Sequence, residues 1–225
     1  MGKIIEEIAL LRGHRIIKTL DTDRDWQNLG SQAEGTLIDF SYPETAFGNI
    51  TRAFDLGLPV VCGTTGWHTR LSEIRNICLA KNHSIVVASN FSIGVNVLFA
   101  INKQLASIMN NFPEYRPEIS ETHHIHKKDK PSGTAVTLAG DITAGLERIR
   151  DWSLEKGKED ELHVDSIREG EITGTHSVSY TSEYDRVSIS HEAYDRKAFG
   201  LGAVVAAEWL EGRTGFYTMQ DVLAI

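Results

Sequence analysis

Short apolar, β-branched runs that alternate with helical patterns constrain this chain more than any other feature. Thr36 to Phe40 reads as a buried strand, and Pro43 or Glu44 opens a helix that runs to about Leu56 and stops at Gly57. Pro59 to Cys62 is the next strand, leading into Gly63-Thr64-Thr65-Gly66; Thr69 to Lys81 is helical, and Ser84 to Ala88 is again a strand. Strands that alternate with helices need crossovers, and right-handed crossovers build a parallel sheet. Ahead of them, Ile4, Ile5, Ile8 and Leu11 fall at helical spacing before Gly13, so residues 2–12 read as an amphipathic helix. Arg15 to Leu20 then reads as a strand ending at Asp21, and residues 22–35 as a polar, turn-rich connection.

The pattern changes after Asn90. A long apolar helix from about Val95 to Met109 precedes a strand near Glu118 to Thr122 and a polar loop rich in histidine. Val164 to Glu169, Thr175 to Thr181 and Arg186 to Glu192 alternate between turn signals such as Gly170 and Gly174, as antiparallel strands do. A second, open-faced sheet domain inserted in the first is expected, with Gly202 to Glu211 returning as an apolar helix. The charged stretch from Glu155 to Glu161 is the most flexible candidate.

Composition narrows the class. Lys and Arg number 23 against 31 Asp and Glu, a net charge of −8, which argues against a nucleic-acid or anionic-membrane binder because both require a basic face. With 225 residues, 41% hydrophobic and 24% charged, a sizeable core is expected, and no apolar run approaches the roughly 20 residues that span a bilayer. The acidic start, Met1-Gly2-Lys3-Ile4-Ile5-Glu6-Glu7, lacks the apolar stretch of a signal peptide. Two cysteines, Cys62 and Cys78, suit a reducing, cytoplasmic setting and read as core residues with no base beside them. Trp67, Trp152 and Trp209 read as packing residues.

Chemistry concentrates in Glu121-Thr122-His123-His124-Ile125-His126-Lys127-Lys128-Asp129-Lys130-Pro131-Ser132-Gly133-Thr134-Ala135. Histidines and lysines crowd a Ser-Gly-Thr turn that opens a helix from Ala135 to Leu146. Amide groups at such a helix start, with the Ser132 and Thr134 hydroxyls beside them, favour a bound carboxylate or phosphate. A plain N-cap beside a solvated cationic face is the simpler account; the density of cations next to an anion-ready turn favours the site. A metal at His123, His124 and His126 is disfavoured, since adjacent strand residues point to opposite faces and the lysines oppose a cation. Gly63-Thr64-Thr65-Gly66 and Ser89-Asn90-Phe91-Ser92 both follow parallel strands, at the edge where open α/β sheets bind ligands. Asp21 is placed either to accept from an adenosine ribose or to cap a turn, and the sequence leaves both open.

The run from Glu121 to Ala135 resembles the signature of the 4-hydroxy-tetrahydrodipicolinate reductase (dihydrodipicolinate reductase) family, Glu-x-His-His-x-x-Lys-x-Asp-x-Pro-Ser-Gly-Thr-Ala, and matches it at every fixed position. Asp39-Phe40-Ser41, Gly63-Thr64-Thr65-Gly66, Asn90-Phe91-Ser92-Ile93-Gly94-Val95-Asn96 and the region from Phe199 to Leu223 extend the likeness over nearly the whole chain. The resemblance implies an α/β chain with a Rossmann-like dinucleotide domain, residues 1–91 and 203–225. An inserted α+β domain for substrate binding and tetramerisation spans 92–202. It implies NADH- or NADPH-dependent reduction of a cyclic dicarboxylate in lysine and diaminopimelate biosynthesis, by a homotetramer. By position, His123 is the proton donor or acceptor and Lys127 the proton donor. His124, Ser132, Gly133 and Thr134 hold substrate carboxylates. Gly63, Thr64 and Thr65, with Ala88, Ser89, Asn90 and Phe91, contact the nicotinamide side, and Asp21 the ribose. Asp21 favours a free ribose hydroxyl while Arg24 nearby suits a phosphate, so the two coenzymes stay undecided.

The family opens with a strand and a Gly-x-Gly-x-x-Met-Gly phosphate loop, of which Met1-Gly2 remain here. The expectation is that Met1 is an internal methionine used as the start and that this form binds coenzyme poorly. Two other readings are a semialdehyde-type dehydrogenase, which needs a nucleophilic cysteine that neither Cys62 nor Cys78 supplies, and a non-catalytic dicarboxylate-binding or assembly protein.

Overall fold

The computed structural model describes residues 1–29, 33–157 and 159–225. Parts of the turn-rich 22–35 segment and of the 155–161 stretch therefore lie outside the described residues. The chain divides into two compact units, Met1–Ile93 with Lys197–Ile225, and Gly94–Arg196.

The first unit contains α1 (Gly2–Leu11), α2 (Asp23–Gln27), β1 (Leu37–Asp39), α3 (Pro43–Asp55), β2 (Val60–Cys62), a 3₁₀ turn at His68–Arg70, α4 (Leu71–Ala80) and β3 (Ser84–Val87). The second unit follows with α5 (Ile93–Met109), whose first residue still belongs to the first unit. Then come β4 (Arg116–His123), α6 (Gly133–Gly145), β5 (Asp151–Ser153), β6 (Glu161–Arg168), β7 (Gly174–Thr181) and β8 (Arg186–Ala193). The chain returns to the first unit with α7 (Lys197–Leu210), β9 (Gly215–Tyr217) and α8 (Met219–Leu223).

In the first unit, four parallel strands lie in the order β1-β2-β3-β9. Strand alternation sorts their side chains to two faces. Val60, Cys62 and Ile85 meet Ile50, Phe54, Ile74 and Cys78 from α3 and α4. Val61 and Val86 meet Ile5, Ile8, Val204 and Met219 from α1, α7 and α8. Helices on both faces of a parallel sheet make this an α/β unit, as the strand–helix alternation predicts. The returning helix starts at Lys197, earlier than the expected Gly202, because its first turns pack on α1: Gly200 lies against Ile4 and Ile8.

One expectation fails outright: residues 15–20 form no strand. A strand needs a neighbour whose backbone groups complete its ladder, and this segment pairs with no strand among the described residues. Asp21 therefore ends no strand; it is exposed, and its N–H donates to Asp25 Oδ2 at 3.2 Å just ahead of the Thr22 cap of α2.

The second unit has a mixed sheet in the order β5-β6-β4-β7-β8. Its core face, with Ile119, Leu162, Val164, Val178 and Tyr180, is packed by Leu98, Ala106, Leu138, Ala139 and Ile142 of α5 and α6. The antiparallel expectation holds for β7 and β8, whereas β6 runs parallel to both β4 and β5. The helix α6 carries the chain back along the sheet, so the strands after it start in the direction of β4. Alternation of apolar and polar residues is the same for either direction, and the sequence pattern could not separate them.

Candidate functional site

Each unit carries part of the chemistry foreseen from the sequence. In the first, β1 and β2 end side by side, and Asp39 at the end of β1 collects the loop that follows β2. The Asp39 carboxylate, 5% exposed, accepts from Thr64 Oγ1 at 2.6 Å, Ser41 Oγ at 2.9 Å and Asn49 Nδ2 at 2.9 Å. Thr64 Oγ1 in turn accepts from the Ser41 N–H at 2.8 Å, and Trp67 Nε1 donates to the Thr64 carbonyl at 2.7 Å. At Gly63 a Cβ would run into the Phe40 ring, so only glycine lets the chain turn there. Thr64, Ala88 and Ser89 share with Trp67, His68, Leu71 and Val87 a cavity of about 130 Å³. Asn90 Oδ1 accepts from the Ser92 N–H at 2.9 Å, and the Phe91 ring is buried, 5.6 Å from that of Phe40. The Phe91 carbonyl also packs against α7, where only a glycine at 202 leaves it space. Cys62 is fully buried, and burial followed by the Asp39 charge pushes its thiol up to about 12, so it is no nucleophile.

In the second unit the signature folds into a buried polar cluster. Glu121 occupies a core-facing position of β4, two residues after Ile119, and is 0% exposed. Its Oε1 accepts from the Ser132 N–H at 3.0 Å, Ser166 Oγ at 2.5 Å and an Arg168 guanidinium nitrogen at 3.2 Å. Its Oε2 lies 3.2 Å from His123 Nδ1 and 3.7 Å from His176 Nε2, close contacts without the angle of a directed hydrogen bond. Burial opposes ionisation of Glu121, but the close His123 ring and the hydrogen bonds from Ser132 and Ser166 outweigh it and hold the carboxyl far below its usual range. Burial and then the His123 charge press His176 down to about 4. Ser132 caps α6 by accepting from the Ala135 N–H at 3.2 Å, and its hydroxyl lies 3.2 Å from His176 Nε2. That hydroxyl is therefore engaged inside the protein. Nothing lies within 4 Å of where a Gly133 side chain would stand, so the turn opens outward at that residue.

Lys127 Nζ pairs with Asp129 Oδ1 at 2.9 Å; burial would raise the Asp129 carboxyl, yet the lysine holds it below its ordinary value. The His124 N–H donates to the Ile172 carbonyl at 2.7 Å, and its ring lies 5.9 Å from that of His126. His123 is the last residue of β4, and His124 and His126 lie beyond its end, so the three do not converge as ligands.

A profile for the C-terminal part of dihydrodipicolinate reductase matches residues 94–223, and one for the N-terminal part matches residues 6–91. The 4-hydroxy-tetrahydrodipicolinate reductase of Christiangramia forsetii is 45% identical over 224 residues, covering 100% of this chain and 94% of that protein. The chain belongs to the dihydrodipicolinate reductase family. A second relative of the same name, from Alkaliphilus metalliredigens, is 36% identical over 235 residues, covering 100% of this chain and 95% of its own. A solved dihydrodipicolinate reductase from Paenisporosarcina sp., bound to dipicolinate, shares the fold with a TM-score of 0.70 at 20% identity, covering 89% of this chain and 80% of its own.

Family membership implies a nicotinamide dinucleotide. The first unit fits one: Gly63 has no room for a side chain, and the Thr64 hydroxyl is committed to Asp39. The loop therefore presents backbone at the carboxyl edge of a parallel sheet, where such ligands bind. A metal fits less well in the second unit. Glu121, His123 and His176 bring one ligand atom each within 4.8 Å of one another, but the Arg168 guanidinium already neutralises that carboxylate.

Sequence reasoning missed Arg168, Ser166 and His176, and it quoted Glu121 and Asp39 without giving either a role. A signal existed for some of them. Glu121 and His123 continue the core-facing alternation begun at Ile119, and a charged side chain in a core position needs partners.

Proposed function

We propose that this chain catalyses the NAD(P)H-dependent reduction of 4-hydroxy-tetrahydrodipicolinate to tetrahydrodipicolinate in lysine and diaminopimelate biosynthesis. The observation that carries the reading is the Glu121–His123–His176 cluster tied through Ser132 to the start of α6, with Lys127 a few residues away in the same unit. A cyclic dicarboxylate needs two anion subsites. The Gly133-Thr134 turn provides one, since the amide end of a helix favours negative charge; His124 and the neighbouring lysines suit the other. Reduction of the ring leaves negative charge that a positioned acid must quench, a task for His123 or Lys127.

When bound, the nicotinamide supplies the hydride. Gly63, Thr64, Thr65 and Ala88 to Phe91 hold its side of the coenzyme by backbone contacts. Asp21 and Arg24 are the residues offered to the adenosine ribose, and either NADH or NADPH suits such a pair. The working form is proposed to be a cytoplasmic homotetramer.

The test is turnover of the dihydropyridine substrate, followed by loss of nicotinamide absorbance. Wild-type chain should turn over with NADH, NADPH or both. His123→Ala combined with Lys127→Ala should lower kcat by at least about a hundredfold with an unchanged circular-dichroism spectrum. Absence of wild-type turnover alongside tight dicarboxylate binding favours the non-catalytic reading, and normal turnover in the double variant removes the assigned roles.

A further inference from the structure

We propose that Glu121 is the positioning residue of this site: one carboxylate oxygen orients the His123 ring while the other anchors the anion-binding turn that opens α6. The inference rests on the reading of His123 as a proton-exchanging group and adds how that group is held.

Three observations lead to it. A fully buried carboxylate stands where the β4 alternation calls for an apolar side chain, beside Ile119 and among core residues. An ionised group in such a place is costly, and it persists only where its surroundings over-determine it. The two oxygens also have different work. Oε1 takes the Ser132 N–H, the Ser166 hydroxyl and the Arg168 guanidinium, which locks the α6 turn to β4 and β6. Oε2 faces Nδ1 of His123 at 3.2 Å. Finally, the opposite ring nitrogen, Nε2, lies against Gly174 on β7, where an added Cβ would stand 2.9 Å from it and cover it. Negative charge against Nδ1 keeps a proton on that atom and leaves Nε2 to exchange one, the arrangement by which a buried acid orients a general acid–base histidine.

The charged and titratable groups of the cluster come from several elements. Glu121 on β4 and His176 on β7 face His123 directly, Arg168 on β6 pairs with Glu121, and His191 on β8 and Lys127 act on His176. Glu121 brings negative charge to the ring of His123, and the Arg168 guanidinium brings positive charge to the same carboxylate. This makes signs of opposite direction available for a test. Glu121→Gln keeps the shape and removes the charge; Arg168→Gln keeps the carboxylate and removes its counter-cation.

The experiment uses the full chain with coenzyme and the dihydropyridine substrate, recording kcat and kcat/KM against pH. Glu121→Gln should lower kcat at least about tenfold, leave the KM for coenzyme unchanged and move the alkaline limb to lower pH. Arg168→Gln should move the same limb to higher pH. Ring ¹⁵N spectra of the wild type should show the Nδ1–H tautomer of His123, independently of turnover. Limbs that coincide with the wild type, or that move together, reduce Glu121 to a structural pin and overturn the proposal, as does an Nε2–H tautomer. Should Glu121→Gln fail to fold, the Arg168→Gln profile and the wild-type tautomer still decide. Absence of wild-type turnover counts against the reductase reading, and the tautomer then tests Glu121 alone.

Discussion

His176 is 4% exposed and sits between Glu121, His123 and Ser132, where burial and then the His123 charge depress it from the ordinary 6.5 to about 4. A depressed histidine means that the unfolded chain binds the proton more readily, so stability is fully present above 6.5 and drains as pH falls toward 4. Urea unfolding of the wild type should lose about 2 kcal/mol between about pH 7 and about pH 5. Glu121, held low, adds nothing in that window, because its contribution is lost only at more acid pH. His176→Asn should flatten the slope whatever its absolute stability, and an unchanged slope would place the titration elsewhere. The histidines of the signature were legible because they are contiguous. His176 was not, since a lone histidine in Gly174-Thr175-His176 says nothing about which strand it faces.

At the scale of elements, the end of β1, the loop after β2 and the first turns of α3 are held together by one carboxylate. Asp39 takes donors from Thr64, Ser41 and Asn49, and its own carbonyl accepts the Gly63 N–H at 2.9 Å. Asp39→Ala should leave several of these donors unsatisfied and destabilise the protein by about 2 kcal/mol, read by urea denaturation. If the loop meets coenzyme as proposed, the KM for NADH or NADPH should rise severalfold while the KM for the dicarboxylate stays put. Equal rises in both would detach Asp39 from the coenzyme loop. The helices and most of the strands could be read from spacing alone, because burial of one face imposes its period locally. The elements missed were short: α2, β5, β9 and α8 span three to five residues each, too few for a period to register.

For the whole molecule, the second unit's sheet has two unlike faces. Both of its long helices pack on one, and the other carries short hydroxyl side chains, Ser120, Thr122, Thr175, Ser177, Ser179, Ser188 and Ser190, flanked by Glu118, Asp165, Arg186 and Glu192. If the working form is the proposed tetramer, with this face covered by another copy, light scattering should give the mass of four chains of 25.0 kDa. Ser177→Arg with Ser190→Arg, a directly opposed pair on β7 and β8, should shift that mass downward; a wild-type monomer at micromolar concentration would remove the tetramer.

The sequence by itself determined the α/β class, the parallel sheet of the first unit and the family, because periodicity and a contiguous motif are local properties that need no partner. Only the tertiary structure decided that residues 15–20 form no ladder and that β6 runs with β4. It alone brought Ser166 and Arg168 onto Glu121 across 45 and 47 residues of chain. Those outcomes depend on which strand lies beside which, and strand order is settled by the packing of whole elements rather than by any one stretch of residues.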